Sequence, residues 1–210
     1  MGKFDGLLLV SDFDDTLYDD YHRVPERNLR ALDYFRSQGG RFTIATGRAH
    51  RTFAPHVHLV PIDAPVVLSN GSALYDFQGD TMLVQTFLPP EAPAHFAALL
   101  AEFPSLAMEA YHGEDIYVWN PNAVTDGHMA KVGTGYTLCP LGEMPTPWTK
   151  AIFQQQHDVL LRVQRRILDS WPEEYEAIFS NAYYLEITRK GSTKGGREDK
   201  LVDYVGPDSG

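Results

Sequence analysis

The stretch Leu7-Leu8-Leu9-Val10-Ser11-Asp12-Phe13-Asp14-Asp15-Thr16-Leu17 constrains this chain more than any other. Its apolar part is short, uninterrupted and does not alternate. That is the pattern of a strand covered on both faces, as in a parallel sheet. The run ends abruptly in carboxylates. In open α/β sheets ligands bind just beyond the carboxyl ends of strands, so Asp12 and Asp14 stand where chemistry would be done. Two carboxylates placed so closely are costly unless something positive joins them, usually a divalent cation.

The next segments repeat the same grammar. Pro25 opens a helix with Glu26 in its first turn and an apolar face of Leu29, Leu32 and Phe35, closed by Gly39-Gly40. Residues 41–45 read as a second strand that delivers Thr46-Gly47-Arg48. A helix is predicted from about Arg48 to just before Pro55. Residues 65–69 read as a third strand, again apolar without alternation, followed by Asn70-Gly71. Strand and helix alternate in this way in a parallel α/β sheet. From Ala73 the pattern changes. Residues 73–76 and 82–87 look like a hairpin turning at Gln78-Gly79-Asp80, and 107–111 and 115–119 like another. Helices are predicted over 91–103 and 157–171 from their i, i+3, i+4, i+7 apolar spacing, with a short helix near 123–131. Residues 148–154, 176–180 and 183–188 complete a mixed α+β insert. A final helix is predicted through Leu201 and Val205, stopped by Gly206-Pro207.

Phosphoryl transfer needs an in-line nucleophile, positive charge for the equatorial oxygens, and an acid for the leaving oxygen. The chain has a candidate for each. Asp12 is the natural nucleophile and Asp14 the natural general acid. Thr46, a hydroxyl at a strand end beside Gly47 at a helix start, suits an oxyanion. Lys194 stands at a helix start, where the helix dipole disfavours a cation, so an anionic partner nearby would explain it.

These segments carry a resemblance. Asp12-Phe13-Asp14-Asp15-Thr16-Leu17 resembles motif I (DxDxT) of the haloacid dehalogenase-like (HAD) phosphohydrolases. Thr43-Ile44-Ala45-Thr46-Gly47-Arg48 resembles motif II, and Gly191-Ser192-Thr193-Lys194-Gly195 resembles motif III. Asn70-Gly71-Ser72 matches the Asn-Gly that closes the third strand in the Cof-like branch. The insert resembles the type IIB cap of that branch.

The resemblance implies a Rossmann-like parallel core at residues 1–79 and 188–210, with an α+β cap at 80–187. It implies a Mg²⁺-dependent phosphatase of small phosphorylated metabolites, sugar phosphates among them, working through an aspartyl-phosphate. Asp12 would be the nucleophile, ligating Mg²⁺ through its side chain, and Asp14 the acid, ligating through its backbone carbonyl. Thr46, Gly47 and Lys194 would hold the phosphate, with Thr16, Arg48 and Asn70 in support. Thr16 would fix its loop through side chain–backbone hydrogen bonds. Asp15 stands where many relatives have Gly, and its charge would favour a cation or face solvent. The alternatives are a phosphomutase of the same superfamily and a phosphate-binding protein of impaired activity. The second arises because the fourth motif, which supplies further acidic Mg²⁺ ligands, is not found in these residues, and Asp208 is a poor substitute. The reading therefore expects the protein to continue, or another chain to cover the first strand's open edge by self-association. With Asp12 and Asp14 alone, Mg²⁺ would be held weakly.

A net charge of -10 argues against nucleic acid or an anionic membrane as the main partner. Arg162, Arg165 and Arg166 read as the solvated face of a helix. Cys139, alone in the chain, fits a reducing compartment and a cytoplasmic location. No apolar run approaches the ~20 residues of a membrane span. His56 and His58 read as surface residues, and His112, Glu114 and Asp115 as a polar hairpin tip.

Overall fold

Two strands that share one end bring the acidic loop and the Thr-Gly-Arg segment together. The computed structural model describes residues 2–19, 21, 23–193 and 201, and divides the chain into two compact units. One takes the chain through Gln85 and resumes at Thr193; the other is Thr86–Ser192.

In the first unit, β1 (Leu8–Ser11) lies parallel to β2 (Arg41–Ile44), with Leu8 opposite Arg41 and Val10 opposite Thr43. At the end of the pair, Ala45 N–H donates to the Ser11 carbonyl (2.9 Å). A parallel bridge from Ala45 to Val67 joins β2 to β3 (Val66–Leu68), which pairs on its other side with β4 (Ala73–Asp76). β5 (Thr81–Gln85) follows, antiparallel to β4. Helix α1 (Glu26–Ser37) connects β1 to β2, preceded by Pro25 at φ -57°, an angle already suited to the first helical turn. Phe13, Phe42, Ile44, Phe53, Val66 and Leu68 pack with Leu32 of α1 into one buried cluster. Ala45, Val67, Leu74 and Leu201 form another, with Leu8 and Val10 packed against it.

The structure changes three expectations. The first strand is covered on one face only: Leu8 and Val10 pack against a core cluster, while Leu9 is 42% exposed. Among the described residues β1 has a strand neighbour only on its β2 side, whereas β3 has one on each side. The helix after Arg48 is only α2 (His50–Phe53), and the chain keeps winding past Pro55 as a 3-10 helix at Ala54–Leu59. Proline is tolerated there because the first turn asks for no amide donor. Finally, the crossings placed at 79/80 and 187/188 lie at 85/86 and 192/193. The partner decides this: β5 continues the β3–β4 sheet, so it stays with the first unit.

The second unit is a six-stranded sheet in the order β10-β11-β9-β6-β7-β8. Its strands are β6 (Ala107–His112), β7 (Asp115–Trp119), β8 (Thr137–Leu138), β9 (Lys150–Gln154), β10 (Tyr175–Asn181) and β11 (Tyr184–Arg189). Helices α3 (Ala92–Glu102) and α5 (His157–Ser170) bury Phe96, Leu99, Leu160, Val163 and Ile167 with Trp148, Phe153 and Tyr175. Met129 of α4 (Ala123–Val132) packs with Tyr111, Ile116, Val118 and Ile152 in a separate cluster. That part of the sheet is polar as well: Glu109 is wholly buried and bonds His128 Nδ1 (2.9 Å), Tyr111 Oη (2.9 Å) and the amide of Gln154. Buried polar atoms require such partners. Arg166 pairs with Glu102 (3.0 Å), and the other two arginines of α5, Arg162 and Arg165, are exposed, as a solvated face should be. No helix among the described residues is long and apolar enough to cross a membrane.

Candidate active site

The acidic loop is held from beneath by Phe13. Its ring is buried, stacked on Tyr18 (centroids 4.8 Å) and edge-on to Phe53 (5.1 Å). With the residue between them pinned in the core, Asp12 and Asp14 stay at the surface: Asp12 is exposed and Asp14 partly so. Phe13 N–H donates to Asp12 Oδ1 (2.8 Å), which orients that carboxylate at the end of β1. The loop closes through its backbone. Leu17 N–H and Tyr18 N–H donate to the Phe13 carbonyl (3.0 and 2.8 Å), and Asp15 N–H to the Tyr18 carbonyl (3.1 Å). This corrects the role expected of Thr16, whose exposed side chain makes no hydrogen bond among the described residues. The backbone bonds leave it nothing to fix. Asp15 has φ +58°, in the left-handed region. Gly adopts it freely and Asp is among the few side chains that tolerate it, so Gly or Asp is the natural choice there. Its side chain is exposed.

The second strand brings the anion-binding candidates to the same end. Thr46 is fully buried, its amide donating to the Val67 carbonyl (2.9 Å) and its Oγ1 accepting from Arg48 N–H (3.1 Å). Its hydroxyl proton goes to no protein acceptor among the described residues. The turn after β3 braces this segment. Asn70 N–H donates to the Thr46 carbonyl (3.1 Å) and Ser69 N–H to the Arg48 carbonyl (2.9 Å). Ser69, Asn70 and Gly71 all have positive φ (50°, 53° and 92°), a strained turn that presses the Asn70 side chain against Gly47. A Cβ at Gly47 would stand 3.0 Å from Asn70 Oδ1. At Gly71 it would meet the Thr193 carbonyl oxygen at 2.2 Å, so the return segment abuts this turn. Gly71→Ala should therefore cost at least ~1–3 kcal/mol of stability, read as a lowered urea midpoint. Lys194, the expected phosphate ligand, lies outside the described residues, as does the final helix apart from Leu201.

Arg48 ties the two segments together. Its Nη2 donates to Asp14 Oδ1 (2.7 Å) and its Nε to Asp14 Oδ2 (3.0 Å), a bidentate pair. Nη1 donates to the Thr52 carbonyl (3.1 Å) and reaches His56 Nδ1 (3.5 Å). The guanidinium lies over the Phe13 and Tyr18 rings, 5.6 and 5.9 Å from their centroids. His56 is thus no isolated surface residue. Its ring stands edge-on to Tyr18 (5.3 Å) and Phe13 (5.9 Å). Burial, reinforced by the positive charge of Arg48, lowers its pKa below the ordinary histidine value. A neutral ring with its proton on Nε2 can accept from Arg48 at Nδ1. No spacing rule connects His56 to Asp14. The 3-10 helix past Pro55 does, by carrying the chain back under the acidic loop.

Asp12 and the Asp14 backbone offer the hard oxygen donors that Mg²⁺ takes. This ion is usually held by one or two carboxylates with waters and substrate phosphate completing the shell, and that donor set fits. No cluster of three or more metal-ligating side chains occurs among the described residues.

The chain has relatives of known kind. It is 26% identical over 201 residues to an HMP-PP phosphatase of Klebsiella pneumoniae, a match spanning 95% of this chain and 73% of that protein. An HMP-PP phosphatase of Escherichia coli is 25% identical over 202 residues, with the same shares of each. Among solved structures, a haloacid dehalogenase-like hydrolase from Bacteroides thetaiotaomicron superposes with a TM-score of 0.78 at 19% identity, over 97% of this chain and 78% of that one. A HAD subclass IIB sugar phosphatase superposes with a TM-score of 0.77 at 20% identity, over 95% of this chain and 76% of that one. The two structures share the fold, an α/β core with an α+β insert. The sequence profile of the haloacid dehalogenase-like hydrolases matches residues 9–209, nearly the whole length, and the chain belongs to that family.

Proposed function

We propose that this protein is a Mg²⁺-dependent phosphatase of small phosphorylated metabolites, with Asp12 as nucleophile and Asp14 as general acid and base. One observation carries the reading. Asp12, Asp14, Thr46, Gly47 and Arg48 meet where β1 and β2 end, joined by the Arg48–Asp14 pair and braced by the Asn70 turn. The named phosphatases among its relatives point to the same chemistry.

In the first step an Asp12 carboxylate oxygen attacks phosphorus as the ester P–O bond breaks, and Asp14 gives its proton to the departing alkoxide. In the second, Asp14 takes a proton from a water molecule that attacks the phosphoryl group on Asp12. Inorganic phosphate leaves and both carboxyls return to their starting states. The Thr46 hydroxyl and the amides around Gly47 donate to the equatorial oxygens. Mg²⁺, when bound through Asp12 and the Asp14 carbonyl, would supply positive charge to offset that developing on the phosphoryl oxygens. The unit Thr86–Ser192 would act as a cap, with specificity drawn from its side chains. Lys194 would add positive charge to the phosphate, and the reactions suit a cytoplasmic enzyme.

Phosphate release from a panel of sugar phosphates and other small phosphate monoesters tests this reading. Release should need Mg²⁺, stop with EDTA and return on adding the metal. Release that ignored the metal, or none from any ester, would refute it.

A further inference from the structure

We propose that His56 is a positioning residue for Asp14, acting through Arg48. The inference rests on the phosphatase reading and goes beyond it, because His56 belongs to neither motif that brings Asp14 and Arg48 to the site.

The argument starts from what an acid must do. Asp14 has to present one carboxyl oxygen to the leaving group and later to water, so the direction of its carboxylate matters more than its presence. A shift of about 1 Å in a reacting group can cost on the order of 10²-fold in rate. Here the direction is set by one residue, since Arg48 grips Asp14 with two nitrogens in a fixed fork, Nη2 to Oδ1 (2.7 Å) and Nε to Oδ2 (3.0 Å). A guanidinium on a flexible stem holds that plane only if its remaining N–H groups are held as well. Nη1 is the one that points away from Asp14, and two acceptors face it: the Thr52 carbonyl at 3.1 Å and His56 Nδ1 at 3.5 Å. Thr52 fixes one hydrogen-bond direction, and His56 supplies a second contact from beside the Phe13 and Tyr18 rings. His56 is itself wedged edge-on against Tyr18 and Phe13, so its ring cannot swing freely. The result is a chain of contacts from His56 to Arg48 to Asp14, with the aromatic floor that supports Asp12 beneath it.

A role exercised through the acid has a signature that a purely structural role lacks. p-Nitrophenolate leaves without protonation, whereas an alkoxide needs the proton Asp14 supplies. His56→Phe keeps an aromatic ring against Tyr18 and Phe13 but removes the acceptor. It should lower kcat for a simple alkyl phosphate by roughly tenfold, a fraction of the ~10²–10⁴ that a positioned acid contributes. It should leave KM nearly unchanged and the phosphoryl step with p-nitrophenyl phosphate, followed as the pre-steady-state burst, within about twofold. His56→Gln can still accept through its amide oxygen and should recover most of the alkyl ester rate. Arg48→Lys keeps the charge but loses the fork, so it should lower kcat for the alkyl phosphate further than His56→Phe does. Equal losses on both esters in His56→Phe, no loss on either, or a His56→Gln variant as poor as His56→Phe would overturn the proposal. A parent chain that cleaved neither ester would overturn the phosphatase reading first, and this inference with it.

Discussion

Asp12→Asn should fold as the parent does and lose turnover by roughly 10⁴–10⁶-fold, the scale seen when a covalent nucleophile is removed. The fold should survive because Asp12 is exposed and the bond its Oδ1 accepts from Phe13 N–H is one that an asparagine oxygen can also accept. Chemistry should not survive, because an amide cannot attack phosphorus to give an acyl phosphate. Rapid acid quench with a labelled ester and Mg²⁺ should trap phosphorylated parent and no phosphorylated variant, while circular dichroism and the urea midpoint stay close to the parent's. Unchanged turnover would show that Asp12 is not the attacking group and would move attention to Asp15, the other exposed carboxylate of the loop.

The contrast between Asp12 and its surroundings shows which parts of this protein can be read from the chain. Asp12 was legible because strand ends are marked locally: an apolar run, then carboxylates. The helices α1, α3 and α5 were legible for a similar reason, each carrying its own apolar stripe. Burial of β1 was not, because apolar residues say what a strand prefers to touch and not which neighbours it has. Leu9 remains 42% exposed in spite of its type. β5 was placed on the wrong side of a boundary because membership is decided by its pairing with β4, a relation between segments. His56 was misread for the same reason. Its significance lies in distances to Arg48, Tyr18 and Phe13, which come from three stretches of chain and are fixed only after α2 and the 3-10 helix have formed. Thr16 shows the converse. Its place in a familiar motif suggested hydrogen bonds that the backbone of this loop makes without it. The strand-end placement of Asp12 was thus readable from the order of residues, while the contacts around it were not.

Asp14→Asn should lower kcat by about 10²–10⁴-fold, and the two half-reactions should respond differently according to what each asks of Asp14. An asparagine offers no acidic proton to an alkoxide and no carboxylate to take a proton from water. With an alkyl phosphate the first step becomes limiting, and little phosphoenzyme should form. With p-nitrophenyl phosphate the first step needs no acid and should run at a rate near the parent's, so the variant should give a burst of nitrophenolate and then stall with phosphorylated Asp12. The substitution also removes the charge that Arg48 grips. Asp14 is partly exposed, so the loss of that ion pair should cost only about 1 kcal/mol of stability. A large loss of activity in a well-folded variant would then be chemical in origin. Trapped phosphoenzyme with the activated ester and none with the alkyl ester would identify Asp14 as the group that moves both protons. Equal slowing with both esters and no burst would mean that Asp14 serves mainly to seat Arg48, and that the acid must be sought elsewhere.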